Sequence, residues 1–297
     1  MKQLEYLTKE IKNVSLYGSR SQEGHISAIW ALIQSLIKHG IAVSVEKKLA
    51  SVLTESGYRL PLHGIKTLSG IDKGAQLAIS IGGDGTFLRT ACWLTGKEIP
   101  IMGINTGHLG FLAENSTDNI DQIVDLLHSG QLRIERRIVL EVECEALPSS
   151  DWPYALNEVA FLKGAASMID VSVKVDGYHL ATYRADGLLV ATPTGSTAYN
   201  LSVGGPILAP TLKSIVLSPI APHSLTLRPI VVSGYSNIEA EVVSRAKDFR
   251  LSIDGRSTSI PCGIPVKIRK ASHDVLTLRK PDENFASTLQ SKLLWGH

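Results

Sequence analysis

The periodicity of the apolar residues changes once along the chain, and that change constrains the fold most. Through the first third, short apolar runs alternate with helical patterns. Residues 14–17, 41–45, 77–81 and 99–104 read as strands. Between the first two, Ile26, Ile29, Trp30, Ile33, Leu36 and Ile37 share one helical face, and Gly40 ends the helix. Glycines follow residues 77–81, then a helix runs through Phe87, Ala91 and Leu94. Ser116 or Thr117 can cap another helix, which carries Ile120, Ile123, Val124 and Leu127 and closes at Gly130. This rhythm predicts a parallel sheet covered by helices. From about Arg137 the period becomes two. Leu140, Val142 and Cys144 alternate with glutamates, and Val171, Val173 and Val175 alternate with Ser172, Lys174 and Asp176. Asp176-Gly177 is a hairpin signal. Strand-like runs follow at 188–191, 215–217, 230–232, 238–243, 249–253 and 266–268 without a long helix, which predicts an all-β domain. From Asp274 the tail returns to mixed character.

Composition narrows the class of function. With 297 residues, 44% of them hydrophobic, the chain can bury a sizeable core in about two domains. A net charge of +2 with 20% charged residues lets neither sign dominate, so no nucleic-acid or anionic-membrane partner is expected. No apolar run approaches the ~20 residues a bilayer span needs. The N-terminal segment MKQLEYLTKEIKN lacks the apolar core of a signal peptide, so the expected location is the cytoplasm. Cys92, Cys144 and Cys262 lie far apart with no ligand spacing, so they read as buried small apolar residues rather than zinc ligands or disulfide partners.

Four segments carry chemistry. Gly82-Gly83-Asp84-Gly85-Thr86 sits where a strand becomes a helix, so its N–H groups and the helix dipole favour phosphate. It lacks the Lys-Ser/Thr pair of a Walker loop. Asp84 is out of character there, because a carboxylate repels phosphate; as a general base for an attacking hydroxyl it makes sense. An Asp-Gly turn with Thr86 as helix cap accounts for the same residues. A second glycine cluster, Gly103 to Phe111, follows the next strand, and neighbouring loops of this kind form the ligand crevice of open α/β sheets. Asn157-Glu158 suits the two hydroxyls of a ribose, and an exposed strand end explains the pair equally well. Tyr183-Arg184-Ala185-Asp186-Gly187 leads into a strand. A dense Gly/Ser/Thr run then extends from Thr192 to Ser202, able to hold sugar hydroxyls and phosphates, with Tyr199 packing against a base. His223, in the loop Pro222 to Leu225, reads as a hydrogen-bonded structural residue, and Asp254-Gly255 as a hairpin turn.

Together these segments resemble the NAD kinase family. GGDGT spans Gly82 to Thr86, NE is Asn157-Glu158, and ADGLLVATPTGSTAYNLSVGGP runs from Ala185 to Pro206. PHSLTLRPIVV follows from Pro222 to Val232, and SIDGR from Ser252 to Arg256. GGDGT also occurs in lipid kinases and 6-phosphofructokinases; TGSTAYN with a following GGP is far more specific. The resemblance implies an α/β Rossmann-like domain over 1–140 that regains 272–297, and an all-β, β-sandwich domain over 141–271, with the active site between them. It implies transfer of the terminal phosphoryl of ATP to the adenosine 2′-hydroxyl of NAD, with magnesium carried by the triphosphate. It makes Asp84 the general base with Gly85 beside it. Asn157 and Glu158 would bind ribose, and Asp186, Thr197, Ala198, Tyr199, Asn200, Leu201 and Ser202 the rest of the dinucleotide. Arg184 would stabilise charge across a subunit contact, Arg89 would meet phosphate, and Arg256 would line the site. Relatives often carry Gln or another residue at Arg256 and a His near Ser167. The family is typically homo-oligomeric, often tetrameric.

Two rivals stand beside this reading. One is a lipid or sugar kinase sharing the GGDGT loop, which the polar TGSTAYN run disfavours. The other is an NAD(H)-binding sensor without turnover, which the presence of Asp84 disfavours.

Overall fold

The computed structural model describes residues 5–7, 10–18, 24–107, 110–117, 120–164 and 167–296. The chain divides into two compact units, residues 1–136 with 275–297, and residues 137–274.

In the first unit, parallel strands lie in the order Lys66–Leu68, Ala42–Glu46, Asn13–Tyr17, Leu77–Ile81, Ile101–Asn105. The end of the last strand, Val266–Arg279, joins this edge with Thr277 opposite Ile101. Leu77–Ile81 and Ile101–Asn105 are buried at every position, as strands covered on both faces must be. The helix Ile26–Lys38 buries Ile26, Ile29, Leu32, Ile33 and Leu36. Its face is therefore rotated slightly from the expected one: Leu32 is inside, Trp30 is half-buried and Ile37 is exposed. The helix Lys47–Glu55 has no break to announce it in the sequence. Glu46 ends a strand and also caps the helix, its carboxylate accepting the Lys48 N–H at 2.9 Å and the Leu49 N–H at 3.4 Å.

The second unit is built from antiparallel strands. One sheet orders Ile230–Ser233, Ser214–Ile220, Gly187–Ala191, Glu158–Lys163, Asp248–Ile253 and Arg256–Pro261. Another set pairs Tyr178–Ala185, Ile169–Val175, Ile238–Ser244 and the start of Val266–Arg279. Ile169, Val171 and Val173 turn inward and their neighbours outward, the predicted alternation. Phe161 stacks on Phe249 in the core at 5.9 Å between ring centres. The Asp176-Gly177 turn has both φ values positive, at 52° and 84°, as a two-residue hairpin requires. Helical structure among the described residues of this unit is limited to the short segments Gly195–Thr197 and Tyr199–Ser202.

The unit boundaries lie four and three residues from the 140/141 and 271/272 expected from the sequence. Both fall inside long strands, Arg133–Glu143 and Val266–Arg279, so no turn marks either junction. The three cysteines differ from expectation too, being half-buried rather than in the core. Among the described residues, no helix is long and apolar enough to cross a membrane.

Candidate active site

In the first unit, the loop after Leu77–Ile81 leads directly into the helix Asp84–Trp93. Gly83, not Thr86, stands at the cap position; the Thr86 N–H bonds to the Gly83 carbonyl at 2.9 Å, and Thr86 Oγ1 takes the Arg89 guanidinium at 3.4 Å. Gly83 and Gly85 are exposed, and a Cβ at either would meet nothing within 4 Å, so the loop has open space over its backbone. Asp84 has a role that its sequence context did not reveal. Its carboxylate accepts the N–H groups of Phe111 at 2.9 Å and of Leu112 and Ala113 at 3.0 Å each. The Phe111 N–H belongs to the second glycine cluster and the other two follow it directly, so the two loops read separately from sequence meet at Asp84. The approach is close enough to exclude a side chain at 110: a Cβ there would lie 2.0 Å from Asp84 Oδ1. A carboxylate offers about four lone-pair sites, so three N–H bonds leave one for a substrate hydroxyl.

In the second unit, Asn157 and Glu158 begin a central strand and are held from below by Asp254. The Asp254 carboxylate accepts N–H bonds from Leu156 at 2.7 Å, Asn157 at 2.9 Å and Glu158 at 3.1 Å. Asp254-Gly255 is the predicted turn, with φ of 47° and 78°, but it is also this anchor. Burial raises the Asp254 carboxyl above its ordinary value, against the three N–H bonds and Arg256, which lower it. Glu158 is pushed from 4.5 up to about 7, first by burial and then by the neighbouring Asp254 charge. Its Oε2 is enclosed with no hydrogen-bond partner among the described residues.

The Thr192–Ser202 run packs onto this segment. Thr192 donates its N–H to the Asn157 carbonyl at 2.8 Å and its hydroxyl to Leu156 O at 2.5 Å. Gly195 passes so near that a Cβ would lie 2.1 Å from the Asn157 carbonyl oxygen. Thr197, Ala198 and Leu201 are half-buried, and Tyr199 and Ser202 are exposed, leaving these side chains for a ligand. Asn200 departs from its expected role. It is wholly buried, and its amide is spent on Ser196 O, Pro206 O and the Ser218 hydroxyl. It shapes the loop from inside. Arg256 is exposed and donates to the carbonyls of Ile253, Trp152 and Tyr154 at 3.2, 3.3 and 2.9 Å, clamping the chain around Asp254.

Arg184 and Asp186 line a cavity of about 660 Å³ in this unit. Asp186 pairs with Lys163 at 2.7 Å, and the exposed Arg184 lies 3.6 Å from Asp170. Ser167, His223 and Arg245 share the walls, and the His223 N–H bonds to Arg184 O at 2.9 Å. The sequence reading did not single out Lys163 or Arg245, because both lie outside the glycine-rich and hydroxyl-rich runs. Among the described residues, no group of three or more His, Cys, Asp or Glu side chains is arranged to hold a metal ion.

The first unit thus offers an open, glycine-lined helix start that suits phosphate, and the second unit offers hydroxyl-rich, carboxylate-anchored loops that suit sugar hydroxyls, features of a class of nucleotide-handling enzyme. Comparison with known proteins narrows this. The ATP-NAD kinase N-terminal domain model matches residues 30–132 and the ATP-NAD kinase C-terminal domain model residues 156–279. The chain belongs to the ATP-NAD kinase family and is a phosphotransferase. It is 40% identical to an NAD kinase of Bacteroides fragilis over 283 residues, covering 95% of this chain and 97% of the relative. An NAD kinase of Porphyromonas gingivalis is 40% identical over 288 residues, covering 96% and 99%. Among solved structures, an NAD kinase from Archaeoglobus fulgidus in complex with ATP matches with a TM-score of 0.70 at 28% identity, covering 94% of this chain and 99% of that one. Yeast NADH kinase complexed with NADH shares the fold, with a TM-score of 0.84 at 23% identity over 97% and 89% of the two chains.

Proposed function

We propose that the protein transfers the terminal phosphoryl group of ATP to the 2′-hydroxyl of the adenosine ribose of NAD, giving NADP and ADP. The observation that carries this reading is the packing of the Thr192–Ser202 run on Asn157. It leaves Thr197, Ala198, Tyr199 and Ser202 on an accessible, polar face while the buried members hold that face in shape. Such a surface suits a dinucleotide and offers no apolar entry for a lipid.

A ribose hydroxyl is a weak nucleophile, so a carboxylate in hydrogen-bond reach helps it lose its proton. Asp84 fills that role through its remaining lone pair. Asn157 and Glu158 hold ribose hydroxyls; Glu158, carrying its proton through much of the neutral range, can donate as well as accept. Gly85 leaves room for phosphate over the loop, Arg89 meets it, and Asp186 binds the far half of the dinucleotide. Arg184, more than half exposed, stabilises charge across a subunit contact in a homo-oligomer, a tetramer by family likeness. Magnesium arrives with the triphosphate and neutralises part of its charge. The expected compartment is the cytoplasm.

The test is purified protein with magnesium, ATP and NAD, with NADP followed enzymatically. Metal-dependent NADP formation is the expected result. Phosphorylation of diacylglycerol or fructose 6-phosphate with NAD left untouched, or NAD binding without turnover, overturns the reading.

A further inference from the structure

The cavity of about 660 Å³ in the second unit is walled by charges of both signs. Lys163, Arg184 and Arg245 supply three cations, Asp170 and Asp186 two carboxylates, and His223 stands among them. Arg184 lies 3.6 Å from Asp170, while Lys163 Nζ donates to Asp186 Oδ1 at 2.7 Å.

The chain fixes the second pair from the backbone up. Lys163 ends the strand Glu158–Lys163 and donates its N–H to the Asp186 carbonyl at 3.1 Å. The Asp186 N–H in turn bonds Ile220 O at 3.0 Å. Beside it, Gly187 passes so near the central strand that a Cβ would lie 2.4 Å from the Phe161 carbonyl oxygen. The main chain therefore holds Asp186 in place and ties Lys163 to the same spot. Both side chains keep about a third of their surface, 34% for Lys163 and 35% for Asp186, so both are within reach of a ligand in the cavity. An ion pair this exposed adds little to stability, so its place in a cavity wall calls for another reason.

That reason lies in the chemistry of the acceptor. The proposed function sets Asp186 against the far half of the dinucleotide, which ends in nicotinamide. The ring is a positively charged pyridinium in NAD and uncharged in NADH, and the rest of the two molecules is the same. A site therefore tells them apart chiefly by its charge at the ring. An unpaired carboxylate attracts the pyridinium and favours NAD. Here Lys163 offsets that carboxylate, and the wall sets three cations against two carboxylates. A positive ring gains nothing from such a wall. Because specificity is a difference of affinities, offsetting Asp186 removes the advantage that NAD would hold.

We propose that Lys163 is a specificity-determining residue that cancels the charge of Asp186, so that the protein phosphorylates NADH at least as well as NAD. This rests on the kinase reading above and on the place that reading gives Asp186.

The test uses full-length wild type, Lys163→Met and Lys163→Arg, each with magnesium-ATP and with either NAD or NADH as acceptor. For wild type, kcat/KM for NADH should equal or exceed that for NAD. Lys163→Met leaves Asp186 unpaired, and its NADH-to-NAD ratio of kcat/KM should fall about fivefold, the upper range for a half-exposed charge pair. The fall should come from a lower KM for NAD, with the KM for NADH within about twofold of wild type. Lys163→Arg keeps the charge and should keep the wild-type ratio. A wild type that prefers NAD overturns the inference. So does a Lys163→Met ratio that stays unmoved, or a KM that rises alike for both acceptors, which makes Lys163 a structural residue; in each case the kinase reading stands. A wild type that phosphorylates neither acceptor overturns the kinase reading itself.

Discussion

Asp254 accepts the backbone N–H of Glu158 at 3.1 Å while its charge repels that residue's own side chain. One carboxylate thus positions a strand and raises the proton affinity of the acid it presents. The raised Glu158 carboxyl gives the protein a defined pH response.

A carboxyl raised from 4.5 to about 7 in the fold is favoured in its protonated form. Below the unfolded value its titration adds no cost. The cost grows as pH rises between the two values and is complete above about 7, reaching roughly 3 kcal/mol. Glu158→Gln removes that titration. Its Tm relative to wild type should therefore climb from about pH 5 to about pH 8. Any fixed effect of the new amide shifts the whole curve and leaves the slope intact. Parallel Tm profiles for the two proteins would show that Glu158 is ionised throughout.

The alternation of strands and helices was legible because Leu77–Ile81 and Ile101–Asn105 are buried throughout and so read as mainly apolar runs. The β unit was legible from its period of two. What escaped was any role set by distant partners. Asp254 reads as a turn, and it is one, but its bonds go to residues nearly a hundred positions away. Asp84 reads as a base or a turn; nothing local shows that it gathers residues 111–113. Asn200 sits in a motif position that looks like a ligand contact, yet its amide is spent on the chain, and the exposed Arg256 also clamps three backbone carbonyls.

Neighbouring residues on one loop should separate cleanly. Tyr199 is 39% exposed and Asn200 is 0% exposed. Tyr199→Ala should weaken NAD binding by about 1–3 kcal/mol with little change in Tm, since it removes a stacking surface. Asn200→Ala strips three internal hydrogen bonds and should lower stability by a similar amount before any effect on affinity appears. Calorimetry and thermal melts on both variants decide it. Unchanged NAD affinity in folded Tyr199→Ala would remove that ring from the site.

Arg256 should behave as a clamp. Arg256→Ala frees three backbone carbonyls and removes a cation that lowers the Asp254 carboxyl. A loss of about 1–3 kcal/mol in denaturant unfolding is expected. NAD affinity should fall less than in Asn157→Ala, whose side chain is proposed to touch the ribose. Full stability with affinity lost would return Arg256 to direct ligand contact.

Asp84 gathers residues 111–113 and is proposed to be the base as well, and substitutions can divide the two roles. Asn keeps the shape of Asp but has a single acceptor oxygen. If that oxygen keeps the Leu112 and Ala113 bonds, the new NH₂ group faces the Phe111 N–H, donor against donor. Asp84→Asn is therefore not silent in the fold, and a Tm decrease corresponding to about 1–3 kcal/mol is expected. Its turnover should fall further than that loosening explains, by about 10²–10⁴-fold, because the proton acceptor is gone. Gly110→Ala supplies the control. It keeps the carboxylate but drives a Cβ to 2.0 Å from Asp84 Oδ1, so the side chain or the loop must shift. It should lose stability comparably while keeping the acid. If the base role is right, Gly110→Ala retains a measurable rate, and Asp84→Asn falls by the larger factor at every pH tested. Near-normal turnover in folded Asp84→Asn would leave Asp84 as the organiser of the glycine loop alone, and proton removal would have to be assigned elsewhere.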